Sequence, residues 1–187
     1  NKTAKIEYIL NFLINHHSQH IETIRIILNL KNLAYSKNMY ENLKLIEPRT
    51  YKFNSIFIKS DTYTLGASSK IFSYDNEKPK HKKPIKSFYI SKNLITISEW
   101  LGFIDNNGYN RKDFWSKKGW AWKKKKNINK PLNWFLLDKK LSLSTPYGYR
   151  TPKKNEPVTN ISLYELEAFA CSNGLKIPHE FEWEVSH

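Results

Sequence analysis

The clearest periodic pattern of apolar side chains lies between residues 5 and 30. Apolar residues and two histidines recur there at spacings of three and four, so they share one stripe of an α-helix. The stripe comprises Ile6, Ile9, Leu13, His16, His20, Ile24 and Ile27, widened by Leu10, Ile21 and Leu28. The pattern predicts an amphipathic helix whose apolar stripe is buried, and we expect its packing partners to come from upstream of Asn1.

After this helix the chain changes to short alternating runs. Residues 31–50 are polar and mixed, and we interpret them as a connector with one short helix. Alternation over 53–65 predicts strands around a turn at Ser60-Asp61. We expect residues 67–84 to form a polar loop and 85–90 to form a further strand.

Two capping boxes predict two later helices. Each has a hydroxyl side chain at the N-cap and a carboxylate three residues on, at Thr96 with Glu99 and at Ser162 with Glu165. The second helix should end at Gly174, where a left-handed residue suits the C-cap.

The remaining segments give weaker signals. We expect the first of these two helices to stop near Asn107-Gly108, residues 109–155 to be irregular, and a last helix to begin after Pro178 over 180–185.

The charge balance is strongly basic, with 31 Lys and Arg against 17 Asp and Glu, a net charge of +14. Such a charge attracts nucleic acids in some proteins, and Lys123 to Lys126 beside Trp120 and Trp122 is a basic and aromatic patch. Lysine far outnumbers arginine, as on solvated surfaces. We therefore interpret these lysines as a solvated surface and predict no nucleic-acid partner.

Cysteine usage and hydropathy restrict the setting. The lone Cys171 excludes an intramolecular disulfide, and we predict a buried core thiol in a reducing, cytoplasmic compartment. Because no apolar run approaches the ~20 residues that span a bilayer, we predict no membrane association.

The histidines on the apolar stripe are the strongest candidates for chemistry. His16 and His20 are four residues apart, so their rings lie one turn apart on the same face and can reach one metal ion. His17 and Glu22 fall beside the stripe, as outer groups that orient ligands or as surface groups. A hydrogen-bonded pair of core histidines without metal is the alternative. Two ligands do not complete a site, so a third must come from elsewhere.

Several ordered motifs between residues 63 and 184 resemble the formylglycine-generating enzyme and sulfatase-modifying-factor family. They are Tyr63 to Gly66, Tyr74 to His81, Phe88 to Ile90 with Ile95 to Glu99, Pro157 to Ser162 with Glu165 and Ala168, and Leu175 to Glu184.

A second set of residues resembles the ergothioneine-synthase branch of that family. This set is Gly108-Tyr109, Phe114-Trp115, Gly119-Trp120, Trp122, Pro131-Leu132 and Trp134, together with His16 to Glu22, which is similar to the branch's H-x-x-x-H-x-E.

The resemblance implies an α+β fold. Residues 1–47 would hold the last helix of a DinB-like four-helix bundle and a connector. Residues 48–187 would form the first half of a C-type-lectin-like domain, with short strands, two or three helices and much irregular loop. We expect the chain to be a fragment that binds metal weakly and is inactive by itself.

The resemblance also implies a function. It implies a non-haem iron(II) enzyme that uses O2 to join a cysteine-type thiol to the imidazole of a histidine betaine, giving a sulfoxide in ergothioneine biosynthesis. His16 and His20 match two of three iron-binding histidines, and the family's catalytic residues are expected in the second half of the lectin-like domain, beyond this sequence. Small-molecule substrates and a monomer are expected.

Alternatives stay open at this point. A related synthase could use another thiol or a selenol, the protein could be another oxidase of the family, or a lectin-like binding module could have lost its metal. For five aromatic residues of the second set we expect most rings to be buried in the core. One or two rings would line the substrate site and contact a trimethylammonium group. The five residues are Tyr109, Trp115, Trp120, Trp122 and Trp134.

Overall fold

The computed structural model describes residues 2–35, 49–68, 73–137 and 140–187. Five α-helices and seven strands are found in these ranges. In chain order they are α1 (Lys2–Tyr35), β1 (Ser55–Ile58), β2 (Asp61–Leu65), β3 (His81–Ile85), β4 (Phe88–Ser91), α2 (Ile97–Asp105), α3 (Lys117–Lys126), β5 (Trp134–Leu137), β6 (Lys140–Thr145), β7 (Gly148–Arg150), α4 (Leu163–Ser172) and α5 (Glu180–Val185). The mixed α+β class is therefore confirmed.

The chain divides into two compact units. The first unit comprises Asn1–Ile27, Ser55–Ile90 and Pro178–His187, and the second comprises Leu28–Asn54 and Ser91–Ile177.

The first unit contains α1 up to Ile27 and two small sheets. Strands β2 and β3 pair antiparallel with Tyr63 opposite Lys83, and β1 pairs with β4. Helix α5 packs on β2, and the backbone N–H of Gly66 donates to a carboxylate oxygen of Glu184 at 2.6 Å. A backbone group at the end of β2 is therefore satisfied by a side chain of α5.

The prediction for residues 67–90 was partly wrong. Residues 81–85, assigned mostly to a loop, form β3, and the predicted strand over 85–90 begins only at Phe88 as β4. The sequence His-Lys-Lys-Pro-Ile has no apolar alternation. Its pairing uses backbone groups, and Pro84, which has no N–H to donate, suits a strand at a sheet edge.

The second unit holds the apolar core. Trp100 and Trp134 are completely buried, and the Trp100 ring stacks on Phe169 with centroids 5.1 Å apart and planes 7° apart. Stacked aromatic pairs add about 0.5–1.5 kcal/mol beyond the area they bury. This pair joins α2 to α4, and these are the two helices that the capping boxes predicted.

Both capping boxes are formed as predicted. Each N-cap hydroxyl accepts from the backbone N–H three residues on, and each carboxylate accepts from the N-cap backbone, at 2.8 Å for Thr96 with Glu99 and 2.8 Å for Ser162 with Glu165. Gly174, at φ +66°, lies just after α4 in the left-handed region, also as predicted.

The prediction that residues 109–155 are irregular was wrong. They contain α3 and the antiparallel sheet β5-β6-β7, so four helices, not two or three, follow residue 48 in the described ranges. Helix α3 carries six lysines and no regular apolar stripe, which hid it. Its N-cap Ser116 accepts from Gly119 N–H at 3.2 Å, and Asn127 ends it in a left-handed conformation.

The last turns of α1 are fixed to the sheet of the second unit by polar contacts. Ser144 Oγ donates to the Asn29 carbonyl at 3.2 Å, and Asn32 Nδ2 donates to the Thr145 carbonyl at 2.8 Å. Tyr149 Oη donates to the Asn32 carbonyl at 2.7 Å. Carbonyls in the last turn of a helix lack helical partners, so the bond from Tyr149 to the Asn32 carbonyl stabilises the end of α1.

The structure also bears on the predictions for the first helix, the connector and Cys171. The helix predicted over 5–30 is present and longer. The rest of the connector, residues 36–48, lies outside the described residues. Cys171 was predicted to be buried and is exposed, on the face of α4 near Asp113, whose carbonyl lies 3.9 Å from its sulfur.

Candidate functional site

His16 and His20 of α1 face each other across one helical turn. Their Nε2 atoms are 3.0 Å apart, and their ring centroids are 4.5 Å apart with the planes at 86°. The i, i+4 spacing on a continuous helix produces this approach, as the sequence predicted. His16 is also stacked on Phe12, with centroids 5.8 Å apart and planes 13° apart.

This separation fits a shared metal ion. Two imidazole nitrogens that each bind a metal at about 2.1 Å, at right angles, lie about 3.0 Å apart. The same separation also suits a hydrogen bond between two neutral rings. The distance between the two nitrogens is therefore compatible with two adjacent metal ligands as well as with a hydrogen bond, and the Phe12 ring is stacked on that of His16.

The surroundings of the pair differ from expectation. The apolar stripe was predicted to be buried, but its members are exposed in the structure, and both histidines are exposed as well. An apolar stripe is covered only by tertiary contacts, and the described residues do not cover this one.

His17 and Glu22, the two residues expected beside the histidine pair, do not contribute a ligand to it. His17 is exposed, with its ring centroid 6.1 Å from that of His16, and Glu22 is exposed two residues beyond His20, which places it on another face. Within the described ranges no three His, Cys, Asp or Glu side chains converge on a point that could hold a metal ion. A third ligand is thus not supplied by this part of the chain.

Most of the aromatic candidates are core residues of the second unit. Tyr109, Trp115 and Trp134 are buried, and Trp115 Nε1 donates to the Gly108 carbonyl at 2.9 Å. Trp120 and Trp122 are half-buried, and Lys123 lies over the Trp120 ring with its Nζ 5.1 Å from the centroid. Trp120 and Trp122 are therefore the members of the set with surface left to contact a ligand.

A buried hydrogen-bond network surrounds Tyr109. Its hydroxyl donates to Glu165 Oε1 at 2.6 Å and accepts from Trp100 Nε1 at 3.3 Å. The other oxygen of Glu165 accepts from the Ser162 backbone N–H and hydroxyl, both at 2.8 Å. Burial, reinforced by the negative charge of Glu165, raises the pKa of Tyr109 far above its usual range. This network holds α4 to the segment after α2, and sequence reasoning recognised only its capping half.

An open polar cleft of about 480 Å³ lies in the second unit, and sequence reasoning did not anticipate it. Residues from 49–54, 91–99 and 155–157 line it, including Arg49, Lys52 and Glu99. These segments are distant in sequence, so no local motif could have indicated the cleft.

The chain is an α+β protein with a candidate metal centre. It combines short strand pairs, helices that begin at capping boxes and a pair of histidines on one helix. Residues 44–187 match the family model described as the sulfatase-modifying factor enzyme 1-like domain. The chain therefore belongs to this family, which confirms the resemblance seen in its motifs.

Similar proteins of known name support the same branch. The chain is 32% identical over 181 residues to hercynine oxygenase of Mycolicibacterium smegmatis, covering 92% of this chain and 40% of that protein. It is 30% identical over 180 residues to hercynine oxygenase of Mycobacterium tuberculosis, covering 95% and 41%. It is 30% identical over 114 residues to ergothioneine biosynthesis protein 1 of Schizosaccharomyces pombe, covering 59% and 12%. The chain thus spans about two fifths of the mycobacterial relatives.

No helix within the described residues combines the length and apolar character that a bilayer span requires.

Proposed function

We propose that the protein to which this chain belongs is a non-haem iron(II)-dependent sulfoxide synthase of ergothioneine biosynthesis. It would use O2 to form a C–S bond between a histidine betaine, hercynine, and a cysteine-type thiol. The relatives named hercynine oxygenase support the substrate and the reaction class. The family match supports the fold that carries them.

One observation carries the proposal to particular residues. The match to the M. tuberculosis relative covers 95% of the chain, which leaves about nine of the 187 residues outside it. Residues 16–20 therefore lie inside the matched segment. The imidazole nitrogens of His16 and His20 lie 3.0 Å apart, a separation that two adjacent metal ligands can adopt, and this supports the proposal.

His16 and His20 would hold the ion through their Nε2 atoms, and both rings must be neutral to do so. Phe12 is stacked on His16 and would help to hold the orientation of its ring. Ferrous iron, when bound, supplies a redox centre with open positions for a thiolate and for O2. Trp120 and Trp122 are the aromatic candidates for contact with the trimethylammonium group, because each keeps part of its surface exposed.

We further propose that residues 1–47 belong to a DinB-like bundle and 48–187 to the lectin-like domain, in a cytoplasmic monomer. The exposed apolar stripe of α1 supports the bundle, because a row of large aliphatic side chains is stable when other helices cover it. The third ligand would then come from residues outside those described.

The iron assignment is tested by metal analysis of the complete gene product. His16→Ala and His20→Ala should each lose bound iron, while the control His81→Ala should keep it. His81 is a suitable control because it lies on β3, and its Nδ1 is within 3.0 Å of the Pro79 carbonyl. Stoichiometric iron in both α1 variants would refute the assignment.

The reaction is tested separately with the iron-loaded protein. Hercynine, O2 and a series of thiols should give a sulfoxide detected by mass spectrometry, and histidine in place of hercynine should react poorly. Iron binding without any sulfoxide from the thiol series would leave the metal centre standing and overturn the proposed reaction.

A further inference from the structure

The polar cleft of the second unit carries an excess of positive charge. Arg49 and Lys52 line it, and neither makes an ion pair within the described parts of the chain. The carboxylate in its lining, Glu99, is already engaged, since one of its oxygens accepts from both the backbone N–H and the hydroxyl of Thr96 at 2.8 Å. The lining therefore carries two cationic side chains against one carboxylate.

The backbone around the cleft is fixed by hydrogen bonds between its three segments. Arg49 N–H donates to the Ser98 carbonyl at 3.0 Å, and Lys92 N–H donates to the Asn54 carbonyl at 2.8 Å. The backbone of Arg49 also lies directly against α2, because a Cβ added at Gly102 would come within 2.3 Å of the Arg49 carbonyl oxygen. The backbone from which the Arg49 side chain extends is thus held against α2.

Neutral polar groups complete the lining. Tyr51 Oη donates to Ser91 Oγ at 3.2 Å, and Ser91 Oγ donates to the Asn93 carbonyl at 2.8 Å. Asn54 and Asn155 also line the cleft. A volume of about 480 Å³ lies within the range of small-molecule sites, about 300–1,000 Å³.

The start of α2 does not offer free N–H groups to an anion. Ile97 N–H donates to the Glu156 carbonyl at 2.8 Å, and Ser98 N–H donates to the Lys154 carbonyl at 3.1 Å. Glu99 N–H donates to Thr96 Oγ1 at 3.3 Å. Phosphate sites commonly use such N–H groups. Binding here would depend on side chains, and the planar fork of an arginine matches a carboxylate.

We propose that this cleft binds a small carboxylate metabolite, with its carboxylate held by Arg49 and Lys52 and its other polar groups by the surrounding amides and hydroxyls. The site lies within the second unit, and it does not depend on the proposed iron centre. The ligand class is a compact polar mono- or dicarboxylate.

The proposal is tested by isothermal titration calorimetry with succinate, inorganic phosphate and neutral succinamide at constant ionic strength. Succinate should bind more tightly than phosphate, and succinamide should not bind. Arg49→Gln should weaken succinate binding at least about tenfold, since a charge-assisted fork is lost. Lys52→Gln should weaken it about threefold. Lys118→Gln, which removes the same charge from the exposed face of α3, should leave it unchanged.

Several results would overturn the proposal. They are the absence of succinate binding, equal weakening by all three variants, or tighter binding of phosphate than of succinate. A second measurement does not require a variant. Succinate should shift the Arg49 Nε–H resonance of the wild-type protein in a 15N-edited spectrum, and an unmoved resonance at saturating succinate would also overturn it.

Discussion

Removal of one buried hydroxyl, by Tyr109→Phe, tests how the core of the second unit is held together. Tyr109 and Glu165 are each only 3% exposed, and the hydroxyl gives Glu165 Oε1 its hydrogen bond at 2.6 Å. The variant keeps the ring but leaves that oxygen of a buried carboxylate without its donor. It also leaves Trp100 Nε1 without the acceptor it has at 3.3 Å.

The expected loss is about 2–4 kcal/mol of unfolding free energy. Removing a neutral partner from a buried charged group costs about 1.5–3 kcal/mol, and the unpaired indole N–H adds to it. The measurement is urea-induced unfolding followed by near-ultraviolet circular dichroism, which reports the packing of the buried tryptophans. Tyr147→Phe is the matched control, because Tyr147 is 85% exposed and its loss should change stability by less than about 0.5 kcal/mol.

The pH dependence gives an independent check. Burial raises the pKa of Tyr109 above the unfolded value of about 10, so the folded state keeps its phenol proton where the unfolded state loses it. Stability from this group is complete below pH 10 and is lost as the pH rises above 10. The difference between wild type and Tyr109→Phe should therefore shrink above pH 10. A loss under 0.5 kcal/mol, or a difference that does not depend on alkaline pH, would refute the reasoning.

Two further predictions concern single side chains of the second unit. Gly102→Ala should lower the free energy of unfolding in urea by about 2–3 kcal/mol, because the added Cβ would lie 2.3 Å from the Arg49 carbonyl oxygen. Gly174→Ala should lower it by only about 1 kcal/mol. Its Cβ would meet nothing within 4 Å, and the cost comes only from the backbone φ of +66°. Equal costs would contradict this distinction. Burial lowers the pKa of Lys130, whose Nζ donates to the Trp134 carbonyl, to about 8. Because the unfolded state holds that proton up to about pH 10.4, stability should rise with pH between about 8 and 10.4, and an NMR titration midpoint of Lys130 above 10 would be inconsistent with it.

Local sequence signals predicted the helices well where a cap marks the start. The boxes at Thr96 and Ser162 and the glycine at 174 act within one or two turns, so their geometry is decided by neighbours in sequence. Helix α3 also has such a signal in Ser116, but its lysines hide the apolar period. The alternation of Leu141 and Leu143 with two serines in β6 was a second usable signal that the prediction of an irregular segment overlooked.

Features that depend on contacts between distant residues could not be predicted from local sequence signals. The pairing of β3 with β2 uses backbone groups that every residue carries, so a lysine-rich strand is recognised only with its partner. Cys171 lies on a helix with buried neighbours, and only the direction of its face shows that the thiol is exposed. The same holds for the cleft, whose lining comes from three separated segments.

The sequence by itself determined the helix that carries His16 and His20, their common face, two capped helices and the family. Each of these depends on residues a few positions apart or on ordered motifs along the chain. Only the tertiary structure decided which side chains are buried, that Tyr109 and Glu165 form one network, and that Arg49 shares a cleft with Glu99 and Asn155. Burial and charge balance depend on groups that meet across 50 or more residues, and no local pattern records which groups will meet.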